Sequence, residues 1–144
     1  MTSRGEKKER TRRAILDAAV HVLARDASAS LSEVASEAGV GRTTVHRYFP
    51  ERADLLAALI VHANERVGEA THRAELHHGS AIDALGRLCR EYFELGDVLT
   101  VMFTGAIGRM EDEPEQPHDR ALVALIHRGR DEGTLDPALS EAWT

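Results

Sequence analysis

Leu31-Ser32-Glu33-Val34-Ala35-Ser36-Glu37-Ala38-Gly39-Val40-Gly41-Arg42-Thr43-Thr44-Val45-His46-Arg47-Tyr48-Phe49 is the stretch on which the fold turns. Ser30 and Glu33, just ahead of and inside it, form a Ser-x-x-Glu capping box, so a helix opens near Leu31. Gly39 closes that helix, because a left-handed residue after a helix end is cheap only for glycine. A second short helix runs from about Arg42 to Phe49 and stops before Pro50, which disfavours helical geometry in the residue preceding it. Ala35, Gly39 and Val45 are spaced as a helix-turn-helix requires: a small residue where the helices cross, a glycine for the tight turn, and Val34, Val40 and Val45 pointing inward. The second helix then presents Arg42, Thr43, Thr44, His46 and Arg47 outward without a single carboxylate, and a helix of this width fits the DNA major groove. An ordinary helical hairpin, with Ala35 and Gly39 acting only in packing, has the same spacing. The acid-free face and its basic flanks favour DNA.

Those flanks matter because the whole-chain charge of −6 over 144 residues argues against nucleic acid. Residues 1–50 hold nine basic and six acidic side chains, a local +3, while residues 51–144 carry a local −9. Upstream, Ile15, Ala18, Ala19, Val22 and Leu23 recur at helical spacing from about Lys8 to Arg25. Arg10, Arg12 and Arg13 crowd the first turns of that helix, where cations oppose the helix dipole and an external polyanion would compensate them.

Downstream the pattern stays helical. A long fourth helix carries Leu56, Leu59, Ile60, Ala63 and Val67 and reaches about Leu76. His77-His78-Gly79-Ser80 is a break with Ser80 as N-cap. The fifth helix is expected to bury Ile82, Leu85, Cys89, Tyr92 and Phe93 and to end at Gly96. Val98 to Phe103 reads as a short buried helix, and Glu111 to Asp119, with Pro114 and Pro117, as a solvated loop. The seventh helix carries Ala121, Leu122, Leu125 and Ile126, with Arg128 and Arg130 favourably in its last turn and Gly133 at its end. No strand-like alternation or internal repeat appears, so the fold is all-α.

At this level of detail the chain resembles the tetracycline-repressor-like transcriptional regulators. Ile15-Leu16-Asp17-Ala18-Ala19 is similar to that family's I-L-x-A-A, Leu31 to Phe49 to its L-x-x-[IV]-A-x-x-A-G-V-x-x-x-T-[VL]-Y-x-[YH]-F, and Pro50-Glu51-Arg52-Ala53-Asp54-Leu55-Leu56 to its P-S-K-x-x-L-L. The resemblance covers roughly residues 8–60. It implies a helix-turn-helix DNA-binding domain over 8–50, preceded by a flexible basic N-terminus over 1–7. A helical regulatory domain over 51–144 follows, in which a small ligand moves the fourth helix and changes the separation of two recognition helices. Arg42, Thr43, Thr44 and Arg47 are then expected at base edges or nearby phosphates, and His46, Tyr48 and Arg52 at the backbone. The partners implied are a palindromic double-stranded operator, a small-molecule effector and, in the full-length family, a second copy of the chain. Three positions depart from the pattern. Gly41 replaces the Ser or Thr that caps the recognition helix, a weaker cap. His46 replaces a phosphate-binding tyrosine; histidine also donates to phosphate, better when protonated. Glu51 replaces Ser or Asn, which suits a helix N-terminus but not the neighbourhood of phosphates. Family members add two long helices that pair two copies, whereas this sequence stops where an eighth helix would begin, near Asp136-Pro137 and Trp143. It therefore reads as truncated after the seventh helix, with dimerisation in doubt for the 144-residue chain.

Other chemistries find little support. Candidate ligand-pocket residues are Phe93, Met102, Phe103 and Leu125, each of which also suits core packing. His72, Glu75, His77 and His78 lack the spacing of a metal site and read as a solvated helix end. Cys89, the one cysteine, reads as an inert buried thiol and suits a reducing cytoplasm. There is no Gly-rich phosphate loop, Gly-x-Ser-x-Gly elbow or His-Glu-x-x-His pair. No enzyme, metal or cofactor is expected, nor is a signal peptide or an apolar run near the ~20 residues of a membrane helix. The expectation is a cytoplasmic DNA-binding repressor released by a ligand. The alternative from another class is a helical protein-interaction module without DNA binding.

Overall fold

The structure, a computed structural model, describes residues 2–107 and 114–138. Its described residues form seven helices and no strand, the expected all-α architecture: α1 (Thr2–Arg25), α2 (Leu31–Ala38), α3 (Arg42–Tyr48), α4 (Arg52–Arg73), α5 (Ala81–Phe93), α6 (Gly96–Phe103) and α7 (Pro117–Asp131). They gather into two compact units, one holding described residues 2–63 and 97–107, the other 64–96 and 114–138.

In the first unit α1 packs on α2, and α2 on α3. The stripe read from the sequence is the buried face of α1, with Ile15, Ala18, Ala19, Val22 and Leu23 all inside. Each large aliphatic side chain so buried contributes about 1.5–3 kcal/mol. The helix begins at Thr2, six residues ahead of the expected start at Lys8. The capping box of α2 is formed as anticipated: Ser30 Oγ accepts from Glu33 N at 3.3 Å and Ser30 N donates to Glu33 Oε2 at 2.7 Å. Those bonds, the backbone N–H of Ser30 foremost, hold the Glu33 carboxyl below its ordinary range. Gly39 closes α2 at φ +66°, and Val40 N reaches back to Ala35 O at 3.1 Å. This is the left-handed closure that lets the chain turn into α3. Val34, Ala35 and Val45 are buried at the crossing, with Val40 half-buried.

α4 starts beyond Pro50, where Glu51 N donates to Asp54 Oδ2 at 2.9 Å, and buries Leu55, Leu59, His62 and Ala63 in this unit. His21 Nδ1 on α1 lies 2.7 Å from Asp97 Oδ2 at the start of α6. α6 was expected to be buried on nearly every side. Val98 and Val101 are inside, but Phe103 is 78% exposed.

The second unit has a core of Ala74, Leu76, Ala81, Ala84, Leu88 and Leu125, flanked by Leu85, Tyr92, Ala121 and Leu122. α4 ends at Arg73, short of the expected Leu76, and Glu75 takes a positive φ of 47°. Arg87 fastens the following turn by donating to the carbonyls of Ala74, Glu75 and His78. Ser80 caps α5 as expected, accepting from Asp83 N at 3.2 Å.

The buried face of α5 differs from the expected one. Ala81, Ala84 and Leu88 are inside, whereas Ile82, Cys89 and Phe93 are exposed and Leu85 and Tyr92 half-buried. The cause is close approach. A Cβ added at Gly129 of α7 would collide with Leu135 Cδ1 and stand 3.2 Å from Ala81 Cβ, so Ala81, rather than a larger residue of α5, faces this tight contact. α7 also begins earlier than the sequence suggested. Pro117 to Asp119 are its first turn, with Pro117 at the position where the missing N–H costs nothing. Of the expected loop, Pro114 to Gln116 are irregular and Glu111 to Glu113 lie outside the described residues, as does the segment of the expected eighth helix around Trp143.

Candidate nucleic-acid interface

α3 is only seven residues long, and helices of that length are marginal alone. It is held by what it buries. Val45 and Phe49 are in the core, Phe49 N closes the last turn onto Val45 O at 2.8 Å, and the Arg12 guanidinium of α1 lies 5.7 Å from the centre of the Phe49 ring. Gly41 is the N-cap, extended at φ −69° and ψ 148°, and supplies only backbone: its carbonyl accepts from Thr44 N at 2.9 Å. The remaining face is exposed. Arg42, Thr43, His46 and Arg47 are open to solvent, and Thr44 and Tyr48 are half-buried. α3 carries no carboxylate, so the ridge presents two guanidinium forks, hydroxyls and an imidazole. Those are donors for phosphate oxygens and for the acceptor edges of bases.

Arg52 is engaged within the protein. Its guanidinium donates to the backbone carbonyls of Ala29 and, at 2.7 Å, Ala27 in the α1–α2 loop. The same loop is tightened by Asp26, whose carboxylate accepts from Ser28 Oγ at 2.6 Å and Ser28 N at 2.9 Å, and lies below its ordinary pKa chiefly for that reason. Arg52 is therefore a brace between the start of α4 and that loop. Backbone carbonyls of two alanines leave no trace in a sequence, so no motif could have announced it. The residues lining the space beside α3 were also missed. Arg4, Lys7, Lys8 and Thr11 of α1 face Thr44, Arg47 and Tyr48 across a groove of about 440 Å³. Their i, i+3, i+4, i+7 spacing was the signal available.

A family model described as bacterial regulatory proteins, tetR family, matches residues 15–59, which span the buried stripe of α1, the helix-turn-helix and the start of α4. Along 141 residues the chain is 42% identical to the HTH-type transcriptional repressor LfrR of Mycolicibacterium smegmatis, covering 94% of this chain and 72% of LfrR. This chain belongs to the tetR family of bacterial regulatory proteins. It is a transcriptional regulator. The HTH-type transcriptional regulator NfxB of Pseudomonas aeruginosa is 29% identical over 112 residues, 74% of this chain and 60% of its own length. Among solved structures, LfrR from Mycobacterium smegmatis in complex with proflavine matches at a TM-score of 0.72 and 39% identity, covering 83% of this chain and 71% of that one. A gamma-butyrolactone receptor, ArpA-like, matches at a TM-score of 0.67 and 20% identity over 94% of this chain and 72% of its own, a likeness of fold.

The candidate pocket residues are placed in different surroundings. Leu125 is in the core of the second unit, Met102 is half-buried, and Phe93 and Phe103 are exposed, Phe93 at 85%. His72, His77 and His78 are exposed; the rings of the last two stand 4.4 Å apart, and His78 Nδ1 lies 3.4 Å from Glu75 Oε2. Among the described residues no three His, Cys, Asp or Glu side chains are grouped as metal ligands would be, and no helix is long and apolar enough to cross a membrane.

Proposed function

We propose that this regulator is a cytoplasmic repressor that binds a palindromic duplex operator as a homodimer and leaves it when a small molecule is bound. Residues 8–50 are its DNA-binding part and 51–144 its regulatory part. Arg42, Thr43, Thr44 and Arg47 read base edges and adjacent phosphates, and His46 and Tyr48 hold the backbone. The observation that carries this reading is the exposed, carboxylate-free face of α3 on a helix-turn-helix. The ligand class follows from charge and kinship. Residues 51–144 carry a net −9, a field that attracts cations, and the LfrR structure similar to this one holds proflavine. A flat aromatic cation is the ligand proposed. Its binding favours a conformer whose two recognition helices no longer match half-sites one helical turn apart, which lowers operator affinity.

Selection of bound duplexes from a random-sequence pool tests the DNA reading. A palindrome is the expected product, Arg42→Ala relaxes preference at one base position at a cost of about 1–3 kcal/mol, and added proflavine releases the selected duplex. Failure to enrich any duplex overturns the DNA reading and favours a protein-interaction module. Enrichment that proflavine leaves untouched overturns only the ligand class.

A further inference from the structure

The first two turns of α1 carry a charge pattern of their own. Arg4, Lys7, Lys8 and Thr11 share one stripe of the helix, while Glu6 and Glu9 fall on other faces. That stripe is turned toward α3 and completes the groove lined by Thr44, Arg47 and Tyr48. Four cations, a phenol and two hydroxyls line it, with no carboxylate among them. Thr11 Oγ1 donates its proton to Lys7 O at 2.9 Å, which leaves the Tyr48 hydroxyl and the cations facing the groove.

Within the protein this arrangement is unfavourable. Like charges three and four residues apart on a helix repel, and α1 has no acidic residue in its first turn to offset cations at its positive end. An anion in the groove adds an attraction to each of those cations that offsets the repulsion. Spacing favours a strand of nucleic acid over a single small anion. Arg4 and Lys8 lie ~6 Å apart along the helix axis, close to the ~6.8 Å that three successive phosphates span along the axis at ~3.4 Å per step of one strand. The groove also shares Thr44 and Arg47 with the face of α3, so a strand lying in it borders the bases that α3 meets.

We propose that this groove is a second DNA contact, taking the sugar–phosphate backbone that borders the major groove entered by α3. Arg4, Lys7, Lys8 and Arg47 are its cationic contacts, and the Tyr48 hydroxyl donates to a phosphate oxygen. It builds on α3 entering DNA as proposed above, and three of its four cations lie ahead of residues 15–59, the segment matched by the family model.

Fluorescence anisotropy with a labelled mixed-sequence duplex of about three helical turns (~30 bp), titrated with the full chain at a series of salt concentrations, tests it. The variant Arg4→Ala/Lys7→Ala/Lys8→Ala is expected to lose about two to three phosphate contacts, flattening the log–log salt slope by ~2–3 and weakening binding at least roughly tenfold at low salt. Alanine raises helix propensity at these exposed positions, so unfolding of α1 does not explain a loss. Lys7→Arg/Lys8→Arg, which keeps the charges, is expected to keep the parent's slope. A parent that binds and a triple-alanine variant with unchanged slope and affinity overturn the groove contact and leave α3 as the DNA-reading element. A parent that binds no duplex overturns both.

Discussion

His62 Nε2 on α4 lies 2.8 Å from Asp17 Oδ1 on α1. The imidazole is 4% exposed, while the carboxylate is half in water. A buried N–H with a single well-placed acceptor is costly to orphan, so this bond fixes where the first half of α4 lies on the helix that supports the recognition unit. Asp17→Ala is expected to destabilise the protein by about 1–3 kcal/mol, toward the lower end because water can reach the vacated acceptor position. Asp17→Asn, which keeps an oxygen there, is expected to recover most of it. Urea unfolding with an unchanged m-value is the measurement, and two variants of equal stability would show that the bond does not hold α4.

Arg52 offers a separation of roles. Its position at the start of α4 suggested a phosphate contact, but its guanidinium holds the carbonyls of Ala27 and Ala29. Arg52→Ala is therefore expected to lower stability by about 1.5–3 kcal/mol, the range for hydrogen bonds to a charged group. The salt slope of DNA binding should stay at the parent's value. Arg52→Lys should rescue little, since an ammonium cannot reproduce the planar fork that spans two carbonyls. A slope reduced by about one contact with stability unchanged would return Arg52 to the DNA.

The contrast between these residues and the capping box shows what sequence can carry. Ser30, Glu33, Gly39 and Ala35 act over three to five residues, so their chemistry is written in their spacing, and all four sit where that spacing puts them. The buried face of α5 is set by its packing on α7, where Gly129, more than thirty residues away, lies close to both Leu135 and Ala81 while Ile82 and Cys89 face outward. Side-chain size alone gave the opposite face. The basic stripe of α1 acquires meaning only once α3 is beside it.

His118 on α7 gives a pH dependence with a definite sign. Burial pushes its imidazole below the ordinary 6.5, and Asp119, 3.7 Å away, opposes that shift by less. The unfolded chain therefore takes up a proton that the folded one resists. This contribution to stability is complete above pH 6.5 and declines as pH falls through the window between 6.5 and the depressed folded value. The carboxyls of Asp26 and Glu33, lowered from 3.8 and 4.5, act only in more acid solution. Thermal melts from about pH 7.5 to 5 should show the parent losing stability more steeply than His118→Gln. Parallel curves would mean that His118 is not shielded from the proton.

Gly41 allows the stability of the recognition helix to be separated from its docking. A Cβ there meets nothing nearer than Thr44 Oγ1 at 4.0 Å, and the backbone is already in the extended geometry of an N-cap. Serine and aspartate both fit, and both would add the side-chain cap that glycine lacks, a gain of a few tenths of a kcal/mol. Aspartate also places a negative charge at the positive end of α3, which favours the folded state further. Toward DNA the two variants part. If the first turn of α3 enters the major groove, an aspartate at its tip faces phosphates and base acceptors without a counter-charge, and binding is expected to fall at least roughly tenfold for Gly41→Asp, the scale of one like-charge juxtaposition in a desolvated contact. Gly41→Ser should bind as the parent does or slightly better. Melting curves and duplex titrations on the two variants check both halves. Equal DNA affinity for Gly41→Ser and Gly41→Asp, with both stabilised, would mean that α3 is capped as described but approaches DNA by some face other than its N-terminal turn.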